Sequence, residues 1–275
     1  MKAFYRWLSQ SRIGKALTGI VAVLFWLLIW HIAAARLAKP LLLPSPAMVA
    51  FRLGELCATS VFWQCSLRSL LRVMAGIAGG AVMAIIVAAL TAAIAPIDLL
   101  LRPLITVIKT TPVASFIILA LLWLDEGILP IFISFLMVFP VIWANLHTAL
   151  SSVPTAYREL SQVYRLPLAR RIRRIYAPHA LPHFLSACRS SMGLAWKAGI
   201  AAEAIALPAL SIGKQLMESK IYLETIDLFA WTTMVILLSL VLEAVTSLIF
   251  RRLQAHSDCT TTAKCAGEED AVCLS

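Results

Sequence analysis

Apolar residues in this chain fall into long blocks separated by short polar segments. A helix needs about 20 largely apolar residues to cross a bilayer core. Six blocks approach that length: 17–35, 71–95, 104–124, 129–146, 193–210 and 228–250. None alternates with the period of two that a lipid-facing barrel strand shows, so the pattern predicts helices. Together the blocks hold only five charged residues, Arg72, Lys109, Lys197, Glu203 and Glu243. The expected fold is an all-α polytopic membrane protein with about six transmembrane helices. A segment at 1–16 precedes the spans, the membrane domain covers 17–252, and a polar tail at 253–275 is expected to lack order.

Composition supports this division. Apolar residues make up 61% of the 275 positions and charged residues 14%, against about 25% charged in an ordinary soluble domain. A mean hydropathy of +0.87 excludes an ordinary soluble enzyme and a disulfide-rich scaffold. The first block follows Lys2, Arg6, Arg12 and Lys15, which imitates the start of a secretory signal. Its apolar run exceeds the roughly 7–15 residues of a signal core, so it is expected to stay attached as a span.

The formal net charge of +10 changes the picture only once it is divided between two faces. With six spans both termini share a face. That face holds the first segment, 96–103, 147–192 and the tail, with fifteen Lys and Arg, while the opposite loops hold six. Basic residues are retained in the cytoplasm, so both termini are expected to be cytoplasmic. Seven of those basic residues are arginines of the loop 147–192. The excess is thus an orientation signal, and it argues against a nucleic-acid partner.

That loop carries its own pattern. Ser152-Val153-Pro154 suits a helix start. Tyr157, Leu160 and Val163-Tyr164 follow at helical spacing, until Leu166-Pro167 interrupts. A second short helix with Leu168, Ile172, Ile175 and Tyr176 on one face is expected to end at Pro178 and Pro182. Two short amphipathic helices beside a membrane can lie among headgroups or dock in a groove of a soluble partner.

The spacing within this loop resembles the permeases of bacterial ATP-binding-cassette importers. Their loop before the penultimate span reads Glu-Ala-Ala, three residues, Gly, nine residues, Ile, one residue, Leu-Pro. Here the chain reads Glu159-Leu160-Ser161, three residues, Arg165, nine residues, Ile175-Tyr176-Ala177-Pro178. Glu, Ile and Pro match, whereas Arg165 replaces the glycine. Over about 40–252 the chain is similar to the nitrate/sulfonate/taurine branch of that class. The matching segments are Leu43-Pro44-Ser45-Pro46, Ser69-Leu70-Leu71-Arg72-Val73 with Gly76, Arg102-Pro103, Thr111-Pro112, Ala180-Leu181-Pro182, Gly193-Leu194-Ala195-Trp196 and Ala201-Ala202-Glu203.

The resemblance implies a type I importer permease in the bacterial inner membrane. It also implies a second permease copy, most simply an identical one, a separate ATPase docked on 155–178, and an external solute-binding protein resting on 36–70 and 211–227. Glu159, Leu160, Ser161, Arg165, Ile175 and Pro178 would form the coupling loop, with Trp196 and Glu203 as candidates for the translocation pathway. ATP and magnesium would belong to the partner ATPase, and no cofactor is expected in this chain. No G-x-x-x-x-G-K-[ST] phosphate loop occurs. The competing reading is an ion-coupled secondary transporter. It would want an intramembrane acidic cluster or inverted repeats, and only Glu203 and Glu243 are available.

Other residues invite blander readings. Lys197 suits snorkelling from the fifth span, and Lys109 suits anchoring a span end. Gly76, Gly79 and Gly80 suit close helix packing. The spacing of Cys57 and Cys65 gives no support for a disulfide. Cys259, Cys265 and Cys273 lack the short spacing of strong zinc motifs.

Overall fold

The computed structural model describes residues 12–272, with side chains from 17 to 252 except those of Arg158 and Arg251. The side chains of Cys259 and Cys265, the whole of Cys273 and the segment before Arg12 therefore lie outside what is described. All regular structure among the described residues is helical. In chain order the helices are α1 (Arg12–Leu37), α2 (Pro46–Cys57), α3 (Ser60–Ala93), α4 (Ala95–Thr110), α5 (Val113–Ala120) and α6 (Leu129–Ser151). They continue as α7 (Thr155–Val163), α8 (Leu168–Arg171), a π-helical turn (Ile172–Tyr176), α9 (Ala177–Ala206), α10 (Ile212–Ile221) and α11 (Thr225–Val272). The apolar part of α11 ends at Phe250, and its backbone runs on as helix to Val272.

Among the described residues, four helices are long and apolar enough to cross a membrane: 17–37 of α1, all of α3, all of α6 and 225–250 of α11. The third apolar block differs from a straight span. It is the pair α4 and α5, bent by 101° at Thr111-Pro112. A proline ring drives the residue before it out of the helical region, and Thr111 is extended at φ −75°, ψ 133°. The fifth block sits inside α9, a 30-residue helix that starts well before residue 193. With Arg189, Lys197 and Glu203 along it, α9 is not among the four helices that qualify by apolarity.

Two compact units are distinguished. One comprises the chain up to Trp63 together with Gln215–Met234, and the other comprises Gln64–Lys214 and the chain from Val235. In the first, Ser45 accepts a hydrogen bond from the Met48 N–H and caps α2. The Trp30 indole N–H donates to the Pro44 carbonyl at 3.1 Å and its ring stacks on Phe229. Arg52 grips Asp227 through Nε at 2.6 Å and Nη2 at 2.9 Å, and reaches Glu55 through Nη1 at 2.8 Å. Donating hydrogen bonds to these two carboxylates raises the pKa of the Arg52 guanidinium above its ordinary range.

The second unit is built on the pairing of α6 with α9. Ile133, Leu136 and Met137 of α6 pack with Ala198, Ala202 and Ala206 of α9 and with Ile117 and Ala120 of α5. Small residues let these backbones approach closely. At Gly76 an added methyl group would strike the Ile131 carbonyl and sit 2.7 Å from Ser134 Cβ, and at Gly80 it would meet the Phe135 carbonyl at 3.0 Å. Gly199 leaves the same kind of room for Val73 and Ser134. Large apolar side chains such as Leu24, Trp26, Leu240 and Leu248 remain exposed on the long helices. Acyl chains are the solvent that such a surface matches.

Gly76→Ala should therefore destabilise the protein by about 1–3 kcal/mol through forced separation of α3 and α6. Gly79→Ala, whose added methyl would meet only Phe135 Cδ2 at 3.7 Å, should be neutral or mildly stabilising. Thermal unfolding of the two variants in detergent checks the contrast.

Candidate functional site

The sequence-derived site residues separate into three places. The first is the loop between α6 and α9. Pro154 precedes α7, which runs from Thr155 to Val163. Its end is closed by two bonds of a Schellman motif: the Arg165 N–H donates to the Gln162 carbonyl and the Leu166 N–H to the Ser161 carbonyl, both at 3.0 Å. The motif requires a left-handed residue, and Arg165 supplies it at φ 43°. The position where the family pattern has glycine is thus the tight turn itself, and the arginine adopts the glycine conformation.

Beyond the turn, Pro167 starts α8, but the chain does not stop at Pro178 and Pro182. It passes through the π turn directly into α9, with both prolines inside the helical run. A proline lacks the N–H for the bond four residues back, and its ring crowds that carbonyl. A π turn widens the backbone where that bond is missing. Here the Ala177 N–H reaches the Ile172 carbonyl, five residues back. The expected end of the second loop helix is therefore corrected to a widened joint.

Within this loop, Ser161 is buried and Ile175 half-buried, while Glu159, Leu160, Arg165 and Pro178 are exposed. Four large side chains of the α7 region stay uncovered. Val163 is 78% exposed and Tyr164 70%, with Tyr157 and Leu160 at about half.

The second place surrounds Glu203, near the end of α9 and completely buried. Ser69 Oγ donates to its Oε2 at 2.6 Å, the Gly213 N–H donates to the same oxygen at 3.3 Å, and Arg72 Nη1 meets Oε1 at 3.3 Å. Ser69 Oγ accepts from the Ile212 N–H at 2.9 Å, and Arg72 Nη2 donates to the Ala209 carbonyl at 3.1 Å. One carboxylate thereby joins α3, the end of α9 and the start of α10. The link between those helices turns sharply, with Leu207 and Leu210 at φ 56° and 51°. Gly213 is required there because a side chain would strike Glu203 and Ala204.

Trp196 marks the third place. It is buried, its indole N–H donates to the Val235 carbonyl at 3.3 Å, and its side chain lines a cavity of about 400 Å³ between α9 and α11. Glu203 is not among the cavity's lining residues, so the two pathway candidates stand apart.

Sequence reasoning missed a polar chain joining α3, α4 and α6. Thr91 Oγ1 accepts from the Trp143 indole N–H at 3.2 Å and lies 3.1 Å from His147 Nδ1. His147 Nε2 is 3.5 Å from Asp98 Oδ1, and Arg102 Nη2 donates to Asp98 Oδ2 at 2.7 Å. Asp98 lies in the first turn of α4, where the helix dipole favours a carboxylate. Only that local cue was available in the sequence. No disulfide joins Cys57 and Cys65, and no group of three metal-ligating side chains occurs among the described residues.

Comparison with known proteins places this geometry. Residues 80–256 match the family model described as binding-protein-dependent transport system inner membrane component. The chain is 24% identical over 257 residues to the taurine transport system permease protein of Escherichia coli, covering 90% of this chain and 92% of that one. It is 29% identical over 221 residues to a bicarbonate transport system permease protein of Synechocystis, covering 74% and 76%. A formylaminopyrimidine transport permease protein of Halalkalibacterium halodurans is 27% identical over 187 residues, covering 68% and 74%. In fold the chain is similar to a crystal structure of an amino acid ABC transporter with histidines, at a TM-score of 0.57 and 19% identity, covering 73% of this chain and 97% of that one.

Two outcomes test the local geometry. Glu203→Ala leaves Arg72, Ser69 and the Gly213 amide without their acceptor and should cost on the order of 3 kcal/mol, whereas the pair Arg72→Met with Glu203→Leu should cost less than Glu203→Ala alone. Thermal unfolding in detergent reads both. Arg165→Gly removes a left-handed penalty of about 1 kcal/mol, and amide exchange across 161–168 should slow about fivefold.

Proposed function

The chain belongs to the binding-protein-dependent transport system inner membrane component family, and from that premise we propose how it is driven and what it carries. It is a membrane-spanning permease subunit of an ABC importer for small solutes. Two copies of it would enclose the translocation pathway. A separate ATPase would bind ATP and magnesium on the cytoplasmic side, and an external binding protein would deliver the solute. In this reading both termini are cytoplasmic, as the excess of Lys and Arg on that face supports.

The observation that carries the ATPase contact is the uncovered row Tyr157, Leu160, Val163 and Tyr164 on a short helix whose two ends are fixed by Pro154 and the Arg165 turn. A soluble partner with an apolar groove is the occupant such a helix fits. Glu159, exposed on the same helix, would supply a charged contact at the groove's edge. Ser161, Arg165, Ile175 and Pro178 would shape the loop that presents the row.

The solute is proposed as a small organic or oxyanion compound. The relatives' names support that range, since they specify taurine, bicarbonate and formylaminopyrimidine. Charge-bearing solutes of this size need polar groups at membrane depth, which the region around Trp196 offers.

Replacing Leu160 with Asp should abolish co-purification with the ATPase, and Glu159→Ala should reduce ATP-driven uptake without loss of membrane insertion. Pull-down and proteoliposome uptake read the two. Solute uptake at the normal rate in liposomes lacking any ATPase would overturn the proposal and favour an ion-coupled carrier.

A further inference from the structure

The polar chain across α3, α4 and α6 contains an unfinished hydrogen bond. Thr91 has one hydroxyl proton, which it directs to the carbonyls of Val87 at 2.9 Å and Ala88 at 3.2 Å. Its oxygen then has only acceptor capacity left. One lone pair takes the Trp143 indole N–H at 3.2 Å, and the other faces His147 Nδ1 at 3.1 Å. A contact of that length with a pure acceptor requires a proton on Nδ1. In the neutral ring the second nitrogen, Nε2, is therefore bare.

Nε2 faces Asp98 Oδ1 at 3.5 Å, beyond the roughly 2.7–3.2 Å of a formed N–H···O bond. Oδ1 is buried and has no hydrogen-bond partner among the described residues. Arg102 engages the other oxygen, Oδ2, at 2.7 Å, and a carboxylate so paired is an acceptor on both sides. Two acceptors thus oppose each other between α4 and α6. A single added proton on Nε2 satisfies both at once. The resulting imidazolium also gains from Trp143, whose ring stacks on it at 5.3 Å between centroids, because an indole face attracts a cation.

The other charged groups of the neighbouring elements face elsewhere. α6 contains no second titratable residue, α3 has none after Arg72, and α5 has none. Beyond Asp98 and Arg102, α4 has only Lys109, which is exposed. On α9, which packs along α6, His179 turns to Ser152 Oγ at 3.5 Å and Glu203 is enclosed by Ser69, Arg72 and Gly213. His183, Arg189 and Lys197 are exposed.

We propose that His147 and Asp98 form a one-proton latch. With the proton on Nε2 it ties the first turn of α4 to α6, and without it that turn is released. The place matters mechanically. α4 continues through the Thr111-Pro112 bend into α5, whose Ile117 and Ala120 belong to the core shared by α6 and α9. His147 stands one turn before the end of α6 at Ser151, from which the loop with the uncovered row departs. The proton is held at this site whatever solute moves and whatever drives it, so the latch stands apart from the permease reading.

The test uses the full chain in nanodiscs. Nitrogen NMR of isotope-labelled imidazoles reads the ring, with His147 assigned among the five histidines by its loss in His147→Gln. In its neutral form the ring should carry its proton on Nδ1, the tautomer that imidazole in water disfavours. Acidification should add the second proton on Nε2. Hydrogen exchange of the Ile97 and Asp98 amides, which bond to the Ile94 carbonyl, reads the latch. Normalised to the intrinsic rate, it should slow about fivefold or more from about pH 8 to about pH 5.5, the interval in which imidazoles titrate. His147→Gln should abolish that slowing. Asp98→Asn leaves an oxygen for Arg102 and offers Nε2 an N–H, so the slowing should reverse in sign. Thr91→Val frees the ring to place a single proton on Nε2, and the difference between the two pH values should vanish. A neutral ring with its proton on Nε2, equal protection at both pH values in the unaltered protein, or an unchanged pH dependence in Asp98→Asn would each overturn the latch. The first two of these need no variant, so a substitution that fails to fold leaves the test intact.

Discussion

A carboxylate sealed inside an apolar bundle has to find every partner it needs within the protein, because no water is there to supply them. Glu203 meets this demand with a hydroxyl and a guanidinium from α3 and an amide from α10. The geometry around it follows. Ser69 and Arg72 must lie one turn apart on the inward face of α3, Gly213 must lack a side chain, and the chain after Ala206 must reverse through two left-handed leucines to bring Ile212 and Gly213 back. The close packing of α3 on α6 through Gly76 and Gly80 fixes where Ser69 and Arg72 can stand. Glycines and the charge knot are therefore parts of one constraint. The first sets the distance between helices, and the second sets their register.

Much of the helix content was legible from the apolar blocks, because burial in lipid demands uninterrupted hydrogen-bonded backbone and long apolar runs record it directly. The exceptions have local causes. Thr111-Pro112 bends the third block, and a proline's effect on its predecessor was readable there but its angle was not. At Pro178 the opposite error arises. Proline usually ends a helix, yet a π turn accommodates it when the following chain has strong reason to stay helical. The knot at Glu203 was invisible as a knot, since its members lie 131 and 134 residues apart in sequence. Composition could flag a costly ion in a span, but pairing is a property of the fold.

The loop pattern was legible in a different way. Glu159, Ile175 and Pro178 gave the resemblance, and Arg165 looked like a departure from it. In three dimensions the departure is one of side chain alone. The backbone bonds of Gln162, Ser161 and Leu166 make the same turn that a glycine would make more easily. A sequence comparison weighs identity, whereas the fold weighs whether a torsion angle can be reached at a tolerable cost. The exposed Tyr157, Leu160, Val163 and Tyr164 could be placed on one short helix from their spacing, but only the structure establishes that the rest of the chain leaves them bare.

The absence of a break between α8 and α9 has a mechanical meaning. Residues 168–206 form one continuous helical rod, roughly 55 Å long at about 1.5 Å per residue, with the loop at one end and Glu203 near the other. A broken arm loses a push at its gap, whereas an unbroken helical path within a packed bundle passes part of it on to its far tip. Displacement of α8 by even a fraction of a helical turn would be felt as leverage on the buried carboxylate, and the π turn would act as the rod's one compliant coil. On this view the protein resembles a rocker shaft: its fulcrum is the α6 contact, and its outer end is bolted through three hydrogen bonds.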